Sequence, residues 1–266
     1  MHPTRIAALL EPFLESPLSP NQLDQISTYI DLLLRWNARI NLTAIRDPEQ
    51  IVPRHFGESL FMARHLFPSS TVNTERAPFI APFAVSENPE PAAAPAQLQT
   101  RDSRPLRLID LGSGAGFPAL PIKIWAPHIH LTMIESNHKK ATFLREAVRV
   151  LTLTNVDVIA ERAESVAARL PSATGSGRSA GAATSEDTDS FQPAEVVTFR
   201  AVEKFNEILP TAKRFLAPNA RLAILITETQ LKHMHSSSFL LAWTVIHVPQ
   251  SQQGLLAISG HNGQLI

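Results

Sequence analysis

The chain contains no cysteine. That excludes disulfide bridges and thiolate metal sites, and it agrees with a reducing compartment without requiring one. Net charge is absent too, because 24 Lys and Arg balance 24 Asp and Glu. Any contact with nucleic acid must therefore come from a local basic patch and not from a global field. No apolar run approaches the roughly 18 residues of a membrane-spanning helix. The opening stretch, MHPTRIAALLEPFLES, is broken by Glu11 and Pro12 and offers no small-residue cleavage site. It reads as a short amphipathic helix and not as a secretion signal. What the chain does have is 266 residues, 44% of them hydrophobic and 18% charged. That suits a globular protein with one large domain, or a domain with a smaller appendage, around a substantial core.

The most informative stretch is LRLIDLGSGAGFPALP, residues 106–121. Leu106, Leu108, Ile109 and Leu111 predict a short strand buried on both faces, as inside a parallel sheet. Gly112, Gly114 and Gly116 then form a turn with almost no side chain, and a helix beginning near Pro118 would aim its free N–H groups at whatever lies there. For the glycines alone, a bare strand-to-helix turn is an equal alternative. Asp110 separates the two readings. A dinucleotide fingerprint is G-x-G-x-x-G and receives a pyrophosphate, which a carboxylate at the mouth of the loop would repel. Here the spacing is G-x-G-x-G after an acid, which suits a ligand with a positive group and no phosphate, such as S-adenosylmethionine.

Upstream, Ser19, Pro20 and Gln22 have the spacing of a capping box with proline at the first helical position. Leu23, Ile26, Ile30, Leu33 and Leu34 supply the buried stripe of that helix. Asn37, Asn41 and Thr43 read as local hydrogen bonding that ends it. Asp47 and Pro48 start another helix, which Pro53 should kink or divide, leaving Arg54 and His55 near the break and a helical piece from Glu58 to Leu66. Residues 68–104, rich in Pro, Ala and Ser, read as a flexible linker or insertion. This divides the chain into an N-terminal helical region, 1–67, and a second domain, 105–266, which carries its own flexible insertion at 171–193.

Within the second domain, strands at 106–111, 131–134, 156–160, 195–199 and 221–226 alternate with helices at 139–153, 163–170 and 203–216. The fold class expected is α/β: a parallel sheet with helices on both faces, an antiparallel C-terminal strand pair at 243–248 and 255–258, and an N-terminal helical extension. Glu135 ends the second strand, where an acid accepts hydrogen bonds from a ribose diol or caps the next helix. Lys139, Lys140 and Arg145 lie off the buried face of their helix, either solvated or meeting phosphate. Arg200 ends the fourth strand. It would converge with Glu135, Ala163 and the glycine loop beyond the carboxyl ends of the strands, or else pair with Glu195 or Glu203.

Six segments together resemble the ribosomal RNA small subunit methyltransferase G family, also called glucose-inhibited division protein B. They are W-N-x-x-I-N-L-T at Trp36 to Thr43, R-H-x-x-E-S-L at Arg54 to Leu60, D-L-G-S-G-A-G-F-P at Asp110 to Pro118, E-S-x-x-K-K-x-x-F-L at Glu135 to Leu144, E-R-A-E at Glu161 to Glu164, and R-A-V at Arg200 to Val202. The resemblance implies a Rossmann-like, S-adenosylmethionine-dependent enzyme that methylates N7 of one guanine in the 530 loop of 16S ribosomal RNA. It also implies a cytoplasmic monomer that acts on the RNA or the 30S subunit, with no metal and no membrane association. Carried over, Asp110, Gly112, Gly114, Gly116 and Phe117 would serve the methionine part of the cofactor, Glu135 the ribose, and Ala163 with Glu164 the adenine. Arg200 would orient cofactor and incoming base, while Arg54, His55, Lys139, Lys140 and Arg145 would meet RNA. Guanine N7 carries a lone pair and no proton, so alignment and not a general base is the requirement, in keeping with the lack of an obvious catalytic dyad.

The chain departs from the family pattern at Glu58 and Glu195, where Asp is usual, and at Thr227 and Glu228 in place of Lys-Gly. It departs again at Gln252, Gln253 and Gly254, where an Arg is common. Two other readings fit the same residues: an S-adenosylmethionine enzyme on another substrate, and a non-catalytic member that binds cofactor or RNA.

Overall fold

The computed structural model describes residues 1–68, 104–170, 191–200, 205–236 and 243–259. Residues 69–103 and 171–190, most of the two expected flexible segments, lie outside the described residues, as does Glu203.

The N-terminal region is helical. It comprises α1 (Pro3–Leu10) with a 3-10 turn at Glu11–Phe13, α2 (Pro20–Asn37), α3 (Pro48–Ile51), a π-helical turn at Val52–Gly57, and α4 (Glu58–Leu66). The capping box forms as the spacing predicts: Ser19 Oγ accepts from Gln22 N at 3.3 Å and Ser19 N donates to Gln22 Oε1 at 2.9 Å. Asn37 ends α2 by accepting from the N–H groups of Leu42 and Thr43 and donating to the Thr43 carbonyl. Proline lacks an N–H, and at Pro53 the chain answers with a widened turn instead of a break.

The rest alternates: β1 (Arg107–Leu111), α5 (Ala119–Trp125), β2 (His130–Ile134), α6 (His138–Val150), β3 (Val156–Ile159), α7 (Ala163–Ala168), β4 (Ala194–Arg200), α8 (Phe205–Arg214), β5 (Leu216–Thr227), α9 (Glu228–Ser236), β6 (Trp243–His247) and β7 (Gly254–Ser259). One sheet of order β3-β2-β1-β4-β5-β7-β6 results. Strands β1 to β5 pair in parallel, and β7 runs antiparallel to both β5 and β6. The expected parallel sheet and antiparallel C-terminal pair are both present. Strand β5 begins five residues earlier than expected and takes Leu216 from the preceding helix, with a register irregularity against Ala194 and Val196.

Side chains alternate across a strand, and the two cores follow that period. Leu108, Leu131, Met133, Val196, Ala223 and Leu225 pack on one face under the N-terminal helices, α5 and α6. Ile109, Leu111, Ile134, Val197, Phe199 and Ile224 pack on the other, under α7 and α8. The N-terminal region thus shares a continuous core with the sheet. Polar anchors pin it there: Gln22 Nε2 donates to the Ile124 carbonyl, Gln25 Nε2 to that of Leu151, and Trp125 Nε1 to that of Phe67.

Candidate functional site

Strand β1 leads into the glycine turn at the carboxyl end of the sheet. Gly112, Gly114 and Gly116 all have positive φ, at 67°, 56° and 87°. The strand next door holds the turn, with Gly112 N and Ser113 N both donating to the Ile134 carbonyl. A Cβ at Gly112 would meet nothing within 4 Å, and at Gly114 only the Gly112 carbonyl oxygen at 3.7 Å. These two glycines leave a strip of bare main chain open to a ligand.

Gly116 and Phe117 do not extend that strip. A Cβ on Gly116 would collide with the Tyr29 hydroxyl and lie 2.6 Å from Leu120 Cδ1. Phe117 is buried, its ring stacked between Tyr29 at 5.3 Å and His55 at 4.8 Å. Both residues, expected to line the methionine part, face the N-terminal helices because the turn has to accommodate α2. Tyr29 fixes this contact by donating its hydroxyl to the Ala115 carbonyl. Sequence reasoning passed over Tyr29, although it stands three residues after Ile26 on the buried stripe.

The two kinds of glycine should respond differently to a methyl group. Left-handed backbone costs an L residue roughly 1–2 kcal/mol, and overpacking adds roughly 1–3 kcal/mol. Gly116→Ala is therefore expected to destabilise by roughly 2–5 kcal/mol and Gly112→Ala by the first amount alone, as read from urea midpoints. Equal losses would show that the space at Gly116 is not filled.

Asp110 lies beneath the turn and not at its mouth. It follows Leu108 by two residues, so its side chain enters the face covered by α2 and has no exposed surface. Its cross-strand neighbour is Thr198, whose hydroxyl donates to Asp110 Oδ1 at 2.7 Å, while Oδ2 has no partner among the described residues. Burial pushes the Asp110 carboxyl from its ordinary 3.8 up to about 7, against the hydrogen bonds of Ser113 and Thr198 and with help from the charge of Glu135. Thr198 escaped sequence reasoning, though a lone polar residue inside an apolar strand was its signal.

Glu135 ends β2 and is nearly buried. Oε2 accepts from Gly114 N at 2.8 Å and Oε1 from Asn137 N at 2.7 Å. Each carboxylate oxygen keeps a further lone pair for a ligand. Ala163, buried, and Glu164, exposed, open α7 after β3, the strand beside β2.

Arg200 ends β4 on the same face as Val196 and Thr198. Its Nη2 donates to Glu58 Oε2 at 2.6 Å and to the Arg54 carbonyl at 2.7 Å, and Nη1 stands 3.4 Å from His55 Nδ1. Arg54 Nη1 meets the other oxygen of Glu58 at 3.1 Å. Among the described residues the partner of Arg200 is therefore Glu58 and not Glu195, while Glu203 lies outside them. Glu195 lies at the opposite end of β4 and on the opposite face, paired with Arg107 at 3.4 Å.

Facing a guanidinium that only donates, His55 Nδ1 must accept, which leaves Nε2–H to donate to Thr43 Oγ1 at 2.7 Å. Burial, then the charges of Arg200 and Arg54, push the His55 ring down to about 3. Expected at the RNA, His55 is instead a neutral strut inside the protein, with both ring nitrogens engaged.

Lys139, Lys140 and Arg145 sit apart on α6. Lys139 and Lys140 follow the Asn137 cap and make no ion pair among the described residues, while Arg145 Nη2 donates to the Val158 carbonyl at 3.0 Å. Among the described residues no cluster of His, Asp or Glu could hold a metal ion, and no helix is long and apolar enough to cross a membrane.

The bare glycines, the half-used Glu135 carboxylate and the unpartnered oxygen of Asp110 fit a ligand with a ribose and a positive group. Strand order decides the class. An open α/β sheet binds ligands beyond its carboxyl ends where the winding reverses, here between β1 and β4, and the order 3-2-1-4-5-7-6 with one reversed strand is that of Rossmann-like methyltransferases. More narrowly, the chain belongs to the rRNA small subunit methyltransferase G (GidB) family, which it matches over residues 22–72 and 93–255. It is 34% identical over 206 residues to the ribosomal RNA small subunit methyltransferase G of Chloroflexus aggregans, covering 77% of this chain and 64% of that one. Identity to the protein of the same name from Roseiflexus castenholzii is 36% over 208 residues, 76% of this chain and 66% of the other. For Bacillus subtilis it is 35% over 152 residues, 57% and 49%. The chain thus spans about half to two thirds of the length of the curated relatives it matches.

Proposed function

We propose that the protein transfers the methyl group of S-adenosylmethionine to N7 of a guanine in the 530 loop of 16S ribosomal RNA, acting as a cytoplasmic monomer on the RNA or the 30S subunit. The observation that carries this reading is the state of the ionisable groups beside the glycine turn. Arg54, Glu58 and Arg200 are tied to one another, and His55, the natural general base, is neutral with both nitrogens engaged. Such a site suits a nucleophile that already has a free lone pair and no proton to lose, as guanine N7 has.

Gly112 and Gly114 admit the methionine part of the cofactor against the main chain, Glu135 holds the ribose, and the first turn of α7 at Ala163 and Glu164 borders the adenine. Asp110 supplies negative potential through the loop without touching solvent. When bound, the cofactor supplies a sulfonium methyl whose C–S bond breaks, its electron pair staying on sulfur, as the N7 lone pair forms the new bond. Arg200 is fixed by Glu58 and the Arg54 carbonyl, and its task is orientation, a matter of holding geometry. Lys139 and Lys140, without an ion pair among the described residues, offer cations to phosphate, with Arg145 and the already engaged Arg54 at the margins.

The test is methyl transfer from labelled cofactor to 30S subunits lacking the modification, with the base located by cleavage at N7-methylguanine. One labelled guanine in the 530 loop is expected. Label at another site, or none although the cofactor binds, would refute the assignment. In the same assay, replacing Lys139 and Lys140 with alanine is expected to weaken RNA binding and flatten its logarithmic salt dependence by about 1 per lysine. An unchanged slope would remove α6 from the interface.

A further inference from the structure

A cavity of about 490 Å³ opens next to Arg200, within the roughly 300–1,000 Å³ of ligand pockets. Its lining shares no residue with the glycine turn, which lies next to it at the end of β1, the strand paired with β4. Its walls are the carboxyl ends of β4 and β5 and the turn joining β6 to β7, on the side of β4 away from β1.

The floor carries Arg54, Glu58 and Arg200, whose charges are already engaged with one another. Above it stand Gln250, Gln252 and Gln253, exposed and without a side-chain hydrogen bond among the described residues. The turn that presents them is firmly built. Ser251 Oγ accepts from Gly254 N at 2.8 Å and from Arg54 Nη1 at 3.2 Å, and Val248 N donates to the Gly254 carbonyl at 3.0 Å. A Cβ on Gly254 would lie 2.9 Å from Ser251 Cβ, so the close turn needs glycine there. The glutamines therefore stand on a fixed scaffold strapped to the N-terminal region by Arg54.

The chemistry of this lining favours a nucleobase over a phosphate. Phosphate is bound by available cations and bidentate guanidinium forks, and here both arginines already share one carboxylate. An amide presents a donor and an acceptor side by side, the pattern displayed by base edges. Arg200 also keeps donors. Nη2 gives both hydrogens to Glu58 and the Arg54 carbonyl and Nη1 faces His55, so that among the described residues Nε–H and one Nη1–H have no acceptor. In guanine the acceptor beside N7 is O6.

We propose that this cavity receives the methyl-accepting guanine, extruded from the RNA as enzymes acting on bases require, with O6 toward Arg200 and its Watson–Crick edge against the glutamine amides of the β6–β7 turn. This rests on the function proposed above and specifies how the base is read. It makes Gln252 and Gln253 specificity determinants that contact base and not backbone.

The experiment uses the full chain and unmodified 30S subunits at saturating cofactor, comparing wild type with Gln252→Leu/Gln253→Leu. Both positions are exposed, and thermal midpoints check that the variant folds. Each good bidentate pair discriminates by roughly tenfold to a hundredfold. The double variant is expected to lose about that factor in kcat/KM and to narrow the preference for guanine over adenine at the target position. Cofactor affinity and the salt slope of subunit binding should not change. Wild-type kinetics in the variant would overturn the proposal, and so would a weaker cofactor or a flatter salt slope, the last showing that the turn meets phosphate. Should the wild type itself label no ribosomal RNA, the functional reading falls and this one with it. A labelled wild type beside an insensitive variant fells only the glutamine site.

Discussion

Glu58→Ala is expected to lower the free energy of unfolding by about 3–5 kcal/mol, the cost of breaking a buried ion pair by removing one partner. Methyl transfer should fall at least about a hundredfold, because a misplacement of about 1 Å near the reacting atoms costs that much. One carboxylate, barely exposed, holds Arg200 through Oε2 and Arg54 through Oε1. Without it two guanidinium groups face each other, and the end of β4 loses its tether to α4. Glu58→Gln keeps the shape and one acceptor but removes the charge, so it should lie between wild type and alanine. Cofactor affinity should change little in either variant, because Glu58 lies outside the glycine cradle. Urea unfolding, single-turnover transfer and calorimetric cofactor titration give the three readings. A stability loss under about 1 kcal/mol in Glu58→Ala, or a matching loss of cofactor affinity, would show that Glu58 does not organise Arg200. Combining it with Arg200→Ala should give strongly non-additive losses, as for two residues in one network.

The pairing of Arg200 shows how far the sequence could be read. Strand β4 and its terminal arginine follow from an apolar run ending in a charge. The period of two already places Arg200 opposite in facing to Glu195, which excludes that partner without any structure. The partner itself could not be seen. Glu58 is 142 residues away, and only the packing of α4 onto the sheet brings it near. Local signals fared well for the same reason: the capping box at Ser19, the Asn37 turn and the glycine loop each depend on neighbours in the chain. The surroundings of Gly116 and Phe117 are not legible locally, because they are set by Tyr29, which arrives from α2. The early start of β5 is hidden in the same way, since Pro218 and Asn219 resemble a turn, yet Leu216 pairs with β4 across a local irregularity.

Asp110→Asn is expected to stabilise the protein at alkaline pH while weakening its cofactor. The Asp110 carboxyl titrates at about 7 in the fold against an ordinary 3.8. A carboxyl raised in this way favours folding most below its ordinary value, and that contribution is lost as pH rises through about 7. At 1.36 kcal/mol per unit the loss is about 4 kcal/mol. Asparagine abolishes it and keeps the bond from Thr198, but leaves an amide N–H₂ where Oδ2 had no partner, at roughly 1–3 kcal/mol. The variant should therefore gain roughly 1–3 kcal/mol at pH 8 and lose roughly 1–3 kcal/mol at pH 4, where the carboxyl carries little charge to relieve. His55 works in the opposite sense, opposing folding as pH falls below its ordinary value toward about 3, but it contributes equally to both proteins and cancels in their difference. The same charge that burdens the fold at neutral pH draws a cation toward the glycine turn. Wild-type affinity for S-adenosylmethionine should accordingly rise as pH passes through about 7, and that of Asp110→Asn should be flat and lower. A variant less stable than wild type at pH 8, or one that keeps the rise in affinity, would show that the orphaned oxygen is not the source of either effect. If both expectations hold, the half-partnered Asp110 carboxylate is an instability retained because the cationic ligand supplies the counter-charge that the folded chain withholds.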